Sequence, residues 1–167
     1  LYAGLRIGEV CALKWNNIDF KNHVITVDST IIRIKNENNK WIYKIGPPKT
    51  THSKRDIPIT DNLYQLLTAE FSNKKSPYIV SSQESFLNIR TFEYRYHKLL
   101  KDADLYPHHF HTFRHTFATR CIESGVDIKT LSEILGHSSV SFTLNTYVHP
   151  SFQEKCIQME KLNNLTG

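Results

Sequence analysis

The segment His111-Thr112-Phe113-Arg114 holds the two side chains with most to offer a reacting phosphate. Read as helix, positions three apart share a face. An imidazole that exchanges protons near neutral pH then stands beside a permanent, fork-shaped cation. Other pieces are scattered along the chain. Arg6 follows Gly4 where a loop meets a helix, a place that favours phosphate, and its guanidinium adds a planar bidentate donor. Glu9 is one helical turn on and can orient it. Lys49 lies in Pro47-Pro48-Lys49-Thr50, on a stem long enough to reach a ligand from a hairpin tip. Lys54 and Arg55, just after it, suit contacts to a phosphate backbone. His137 follows Gly136 at a helix end, placed to donate to a phosphoryl oxygen, and Tyr147 sits near the end of the next helix.

Each of these residues has an ordinary alternative. Arg6 and Glu9 make a surface ion pair, Lys49 is a solvated turn lysine, and Tyr147 is one of 8 tyrosines near a helix end. His137 is a capping histidine at a helix C-terminus. Four histidines, His108, His109, His111 and His115, together with Cys121 raise a metal site, and His111 and His115 have the i, i+4 spacing. Zinc needs a third and a fourth ligand, and no Cys-x-x-Cys or His-Glu-x-x-His supplies them. No metal and no cofactor is therefore expected.

These residues need elements to hold them. Val10, Ala12 and Leu13 predict a helix from about Gly8 to Trp15. His23 to Val27 is a β-branched strand, Thr30 to Ile34 continues extended, Lys40 to Ile45 alternates as a second strand, and Arg55 to Ile59 is a third, put at an edge by Pro58. Thr60 or Asp61 caps a helix to about Phe71 with Leu63, Leu66 and Leu67 inward. Tyr78 to Val80 reads as a brief strand. Asn88 opens a helix carrying Phe92, Tyr96, Leu99 and Leu100. A helix from about Thr112 stops at Gly125, Asp127 caps the next, which stops at Gly136, and a short one runs toward Tyr147. Ser151 and Glu154 form a capping box for a last helix to about Asn164. The expected fold class is α+β: a mainly helical domain with a small three-stranded antiparallel sheet near the N-terminus.

At 167 residues the chain reads as one domain with a real core. The net charge of +5 is uneven: residues 1–55 carry 10 basic and 4 acidic side chains, whereas residues 111–167 carry 5 of each. A basic first third faces a polyanion. No apolar run approaches the roughly 20 residues a bilayer requires, so no membrane partner is expected. Three widely spaced cysteines, Cys11, Cys121 and Cys156, are not a disulfide framework, which points to a cytoplasmic protein. Leu1 is not a natural start, so the chain reads as a fragment.

Taken together, these motifs resemble the catalytic domain of the tyrosine recombinases, the phage-type integrase family. They are Ala3-Gly4-Leu5-Arg6-Ile7-Gly8-Glu9-Val10, the hairpin Pro48-Lys49-Thr50 with Arg55-Asp56-Ile57-Pro58-Ile59, the run His111 to Thr119, Leu135-Gly136-His137-Ser138-Ser139, and Thr143 with Thr146-Tyr147. The resemblance covers almost the whole chain, to about Tyr147. It implies that Tyr147 attacks a DNA phosphodiester, giving a 3′-phosphotyrosine and a free 5′-hydroxyl without ATP or metal. It assigns Arg6 and Arg114 to the non-bridging oxygens, His137 to a further hydrogen bond, His111 to the tyrosine proton and Lys49 to the departing oxygen. Glu9 supports Arg6, and Lys54, Arg55 and His115 contact DNA. The implied partners are double-stranded DNA attachment sites and, on paired sites, a homotetramer, with a monomer expected for the isolated fragment. The helix that usually precedes Arg6 and the N-terminal DNA-binding domains of the family are expected to be missing from this chain. The rival readings are a type IB topoisomerase, a non-catalytic DNA-binding remnant of the same fold, and a zinc hydrolase.

Overall fold

A computed structural model describes residues 1–48, 50–148 and 152–160. Helix α1, Ile7–Ala12, opens the domain. It is shorter than expected because Leu13 turns extended (ψ 128°), and Trp15 then donates its backbone N–H to Pro77. Three strands form one antiparallel sheet: β1 (Ile18–Asp19), β2 (Val24–Val27) and, further along the chain, β5 (Arg55–Pro58), in the order β1-β2-β5. Between them in sequence, β3 (Thr30–Lys35) and β4 (Trp41–Gly46) pair only with each other.

The three-stranded sheet is thus present, with a different third member. The Lys40–Ile45 segment belongs to the separate ribbon, and Ile18–Asp19 takes its place in the sheet. Burial explains the division. Ile25 and Val27 of β2 and Ile57 of β5 alternate into one core with Trp15, Ile18, Ile59 and Leu67, as period-2 strands with one covered face require. Strand β4 has no buried position, and the ribbon touches the body mainly through Ile31, which packs on Cys11 and Ala12 of α1. Strand β5 is an edge, as Pro58 demands.

The rest is helical. Helix α2 (Asp61–Ser72) and helix α3 (Ile89–Asp102) begin at Thr60 and Asn88. Leu66 is 55% exposed and Leu99 67% exposed, against expectation. Each helix instead buries an i, i+4 stripe, Leu63-Leu67-Phe71 in one and Phe92-Tyr96-Leu100 in the other. A step of about 100° per residue carries the adjacent leucine off that stripe. The strand expected at Tyr78 is a single bridge to Lys14.

Helix α4 (His111–Glu123), helix α5 (Ile128–Leu135) and helix α6 (Val140–Tyr147) pack around Ala118, Leu131 and Leu135, all fully buried. Gly125 and Gly136 follow α4 and α5 with φ of +78° and +64°, left-handed conformations that glycine adopts without a Cβ clash. Asp127 and Ser139 cap α5 and α6. Helix α7 spans Phe152–Glu160. The capping box expected at its start rests on Ser151, outside the described residues, as does the end of the helix expected near Asn164. None of the described helices is long and apolar enough to cross a membrane.

Candidate active site

Two guanidiniums close on one carboxylate, and a third stands near them. Arg6 is the N-cap of α1, and Glu9 returns along the first turn to accept from it twice, from the Arg6 backbone N–H at 2.9 Å and from Nη1 at 2.8 Å. Arg55, on β5, donates to both oxygens of the same carboxylate, Nη1 to Oε1 at 3.0 Å and Nη2 to Oε2 at 2.9 Å. Its Nε donates to the carbonyl of Ile134 and its Nη1 also to that of Ser53. Glu9 is 2% exposed. Burial works to raise its pKa, but the hydrogen bonds and charge of Arg55, with the bonds from Arg6, outweigh that and lower it.

Arg114 comes from the opposite side, on α4, and is itself 2% exposed. Nη1 donates to the carbonyl of Gly4 at 2.6 Å and Nη2 to that of Leu135 at 2.6 Å. Arg6 Nη2 donates to the next carbonyl, that of Gly136, at 2.9 Å. The two arginines therefore grip the same left-handed turn from either side. Burial, then the nearby charges of Arg6 and Arg55, bring the Arg114 pKa down to about 10, against the pull of Glu9 and Tyr147. With three guanidiniums and one carboxylate, the centre has positive charge to spare. Charge of that kind, fixed in a water-poor setting, stabilises an anion far better than the same charges in bulk water.

The turn delivers His137. Its Nδ1 lies 2.8 Å from Thr143 Oγ1 on α6. Burial first, then Arg114, Arg6, Arg55 and His111, depress its pKa to about 4, so the ring is neutral at pH 7. His111, at the start of α4, is lowered as well, by burial and by His115, Arg114 and Arg6. The rings of His111 and His115 meet edge to face at 4.5 Å between centroids. Tyr147, on the last turn of α6, is packed into this group. Its ring is 5.3 Å from that of His115 and 6.3 Å from that of His137, nearly parallel to the latter at 6°. It also rests on the core under α4 and α5. A cleft of about 380 Å³ opens onto Arg6, Glu9, Gly136, His137, Ser138 and Phe142.

Arg6, Glu9, His111, Arg114, His115, His137 and Tyr147 are thus brought together from four elements. Lys49 lies outside the described residues; Pro48 and Thr50, on either side of it, both line the cleft. Lys54 is exposed beside His52 and His137. Arg55 departs from its expected place on the DNA-facing surface. Its side chain is 6% exposed, and its donors go to Glu9, Ile134 and Ser53. The His115 ring lies 4.5 Å from that of His111 and 5.3 Å from that of Tyr147 between centroids. Sequence reasoning counted Thr143 among the motif residues but gave it no role, although it stands four residues before Tyr147 and so on the same helix face. Among the described residues no three His, Cys, Asp or Glu side chains come together as a metal site.

Residues 1–154 match the phage integrase family. A XerC-like tyrosine recombinase of Caldanaerobacter subterraneus subsp. tengcongensis is 35% identical over 185 residues, covering 97% of this chain and 46% of its own. The transposase of transposon Tn916 from Enterococcus faecalis is 30% identical, covering 98% of this chain and 44% of its own. The chain spans less than half the length of these relatives. The integrase of transposon Tn1549, solved in complex with transposon right end DNA, superposes with a TM-score of 0.79 at 28% identity, over 97% of this chain and 56% of that one. The XerA recombinase, at 23% identity and a TM-score of 0.69, is a likeness of fold.

Proposed function

From a chain that belongs to the phage integrase family of tyrosine recombinases, we propose a site-specific DNA recombinase that integrates or excises a mobile element. It cuts and rejoins double-stranded DNA through a 3′-phosphotyrosine. The observation that carries this reading is the convergence of Arg6, Arg114, His137 and Tyr147 about the turn at Gly136.

The Tyr147 oxygen attacks the scissile phosphorus. A P–O bond to the tyrosine forms, the bond to the 5′ oxygen breaks, and the phosphate stays on the protein. A tyrosine hydroxyl ordinarily ionises at about pH 10, so its proton must be taken up as it attacks. His111, its pKa lowered by burial and by His115, Arg114 and Arg6, accepts it. Lys49 donates a proton to the departing 5′ oxygen. Arg6 and Arg114 hold the non-bridging oxygens and offset the charge that grows on them, and His137 adds a hydrogen bond. Attack by a 5′-hydroxyl, from the same or a second duplex, reverses each step and needs no ATP, because the phosphoester bond is conserved.

The partners are DNA attachment sites and three further copies of the chain, assembled as a homotetramer on paired sites in the cytoplasm of a bacterial host. A type IB topoisomerase would use the same chemistry, but the relatives that match include a tyrosine recombinase, a transposase and an integrase. The test is a nicked duplex carrying the element's end sequence, incubated with the full-length protein. A protein–DNA adduct that survives denaturation, persists in chelator and vanishes in Tyr147→Phe is expected. Intact DNA binding with no adduct would leave a non-catalytic DNA-binding protein.

A further inference from the structure

We propose that Thr143 is a positioning residue that holds His137 as the Nε2–H tautomer, so that the ring presents a donor to the cleft. The inference rests on the recombinase reading for its purpose, and on the hydrogen bonding of two side chains for its substance.

A neutral imidazole carries one N–H, and the bond made by one nitrogen decides what the other can do. His137 is neutral at pH 7, and it lines the cleft. Its Nδ1 is engaged by Thr143 Oγ1 at 2.8 Å, which leaves Nε2 as the nitrogen free to act. The direction of the bond follows from the threonine. Thr143 is fully buried, at 0% exposure, and among the described residues His137 Nδ1 is the one polar partner of its hydroxyl.

Two arrangements are open. If Nδ1 carried the proton and donated to Oγ1, the threonine hydrogen would be buried without an acceptor. A buried donor left unpaired is costly, whereas an oxygen with a spare lone pair is much less so. The usual escape for a helical threonine is to donate to the carbonyl four residues back. Thr116 does this, to Thr112 at 2.9 Å; Thr143 makes no such bond to Ser139. The second arrangement satisfies both groups: the threonine donates to Nδ1, and Nε2 bears the hydrogen. Only this form can donate to a phosphate oxygen. The other would turn a lone pair toward the same anion.

The placement of Thr143 extends the point. It lies one turn before Tyr147 on α6, and the Tyr147 ring lies parallel to His137. Phe142, next to it, meets the imidazole edge-on at 4.7 Å. One helix thus supplies the nucleophile and the group that sets the donor. Undocking α6 would release both together.

The experiment reads the tautomer directly. In the full chain labelled with 15N-histidine, the His137 ring is identified by its loss in His137→Gln, and its two nitrogens report which one is protonated. The expected result is Nε2–H in the unaltered chain and in Thr143→Ser, with Thr143→Val shifting the ring toward a mixture. Nδ1–H in the unaltered chain, or an unchanged ring in Thr143→Val, overturns the proposal. Should Thr143→Val not fold, the unaltered and serine forms still decide between the tautomers. On the nicked duplex, the full-length Thr143→Val protein should form adduct about 10-fold or more slowly while binding DNA as before, with Thr143→Ser near normal. The expected tautomer with no adduct in any form would sink the cleavage reading and leave the positioning of His137 standing.

Discussion

Arg55 shows how one residue can change meaning between sequence and structure. In sequence it is a basic residue after a lysine, in the most basic third of the chain. In the fold it is a buried strut that closes Glu9 on one side and the end of α5 on the other. Arg55→Gln leaves the Glu9 carboxylate buried with Arg6 alone. Breaking a buried pair by removing one partner costs about 3–5 kcal/mol, and urea unfolding monitored by circular dichroism should show a loss of that order. Acidity acts on the same group of residues. His137 is neutral in the folded chain down to about pH 4 but takes a proton below its ordinary 6.5 when unfolded. The unfolded state therefore binds more protons between those values, and stability falls as pH drops through that window. His111, also lowered, adds to the same slope. Glu9 contributes at the acid end: its folded pKa is depressed from 4.5, so its share is present above about 4.5 and is lost as pH falls through the folded value. Denaturant midpoints measured from pH 7 to pH 4 should decline, and His137→Gln should flatten the upper part of the decline.

At the scale of elements, the site is built on the turn between α5 and α6. Gly136 has φ of +64°, and a Cβ there would meet Arg55 Nη1 at 3.0 Å and Cδ at 3.1 Å. Gly136→Ala therefore meets two separate costs. The left-handed backbone alone is worth about 1–2 kcal/mol against any residue with a Cβ, and the new methyl presses on a guanidinium that has no slack. The expected outcome is a stability loss of at least that size, together with slower adduct formation, because the carbonyls that receive Arg6 and Arg114 belong to this turn. An unaltered melting temperature would contradict it. These helices were legible in sequence because their punctuation is local: Asp127 caps, Gly125 and Gly136 stop. The sheet was less so. Alternation marks a strand without naming its partner, and β4 paired with β3 because it was next in the chain, while β1, only two residues long, carries too little pattern to be seen.

For the molecule as a whole, α7 leaves Phe152 81% exposed and Met159 64% exposed. Apolar side chains placed together on an exposed helix suit burial against another copy. Full-length protein on paired sites should migrate as an assembly of four by gel filtration, and the same protein ending after the residue numbered 150 here should fail to reach that size while retaining the fold of the core. An unchanged assembly in the shortened form would show that α7 serves its own chain.

The sequence by itself determined the family, the order of the helices and the residue types of the candidate site, because motifs, caps and hydrophobic spacing are written within a few positions of one another. Arg6, Arg114, His137 and Tyr147 were legible in that way. What only the tertiary structure decided is which of them touch, and through what. Arg114 spans 110 residues to reach Gly4, and Arg6 spans 130 to reach Gly136. Arg55 lies inward and Thr143 bonds to His137 because β5 and α6 are packed against α5. Spacing along the chain carries no record of such contacts, since they depend on which buried donors are left seeking acceptors once the elements have come together.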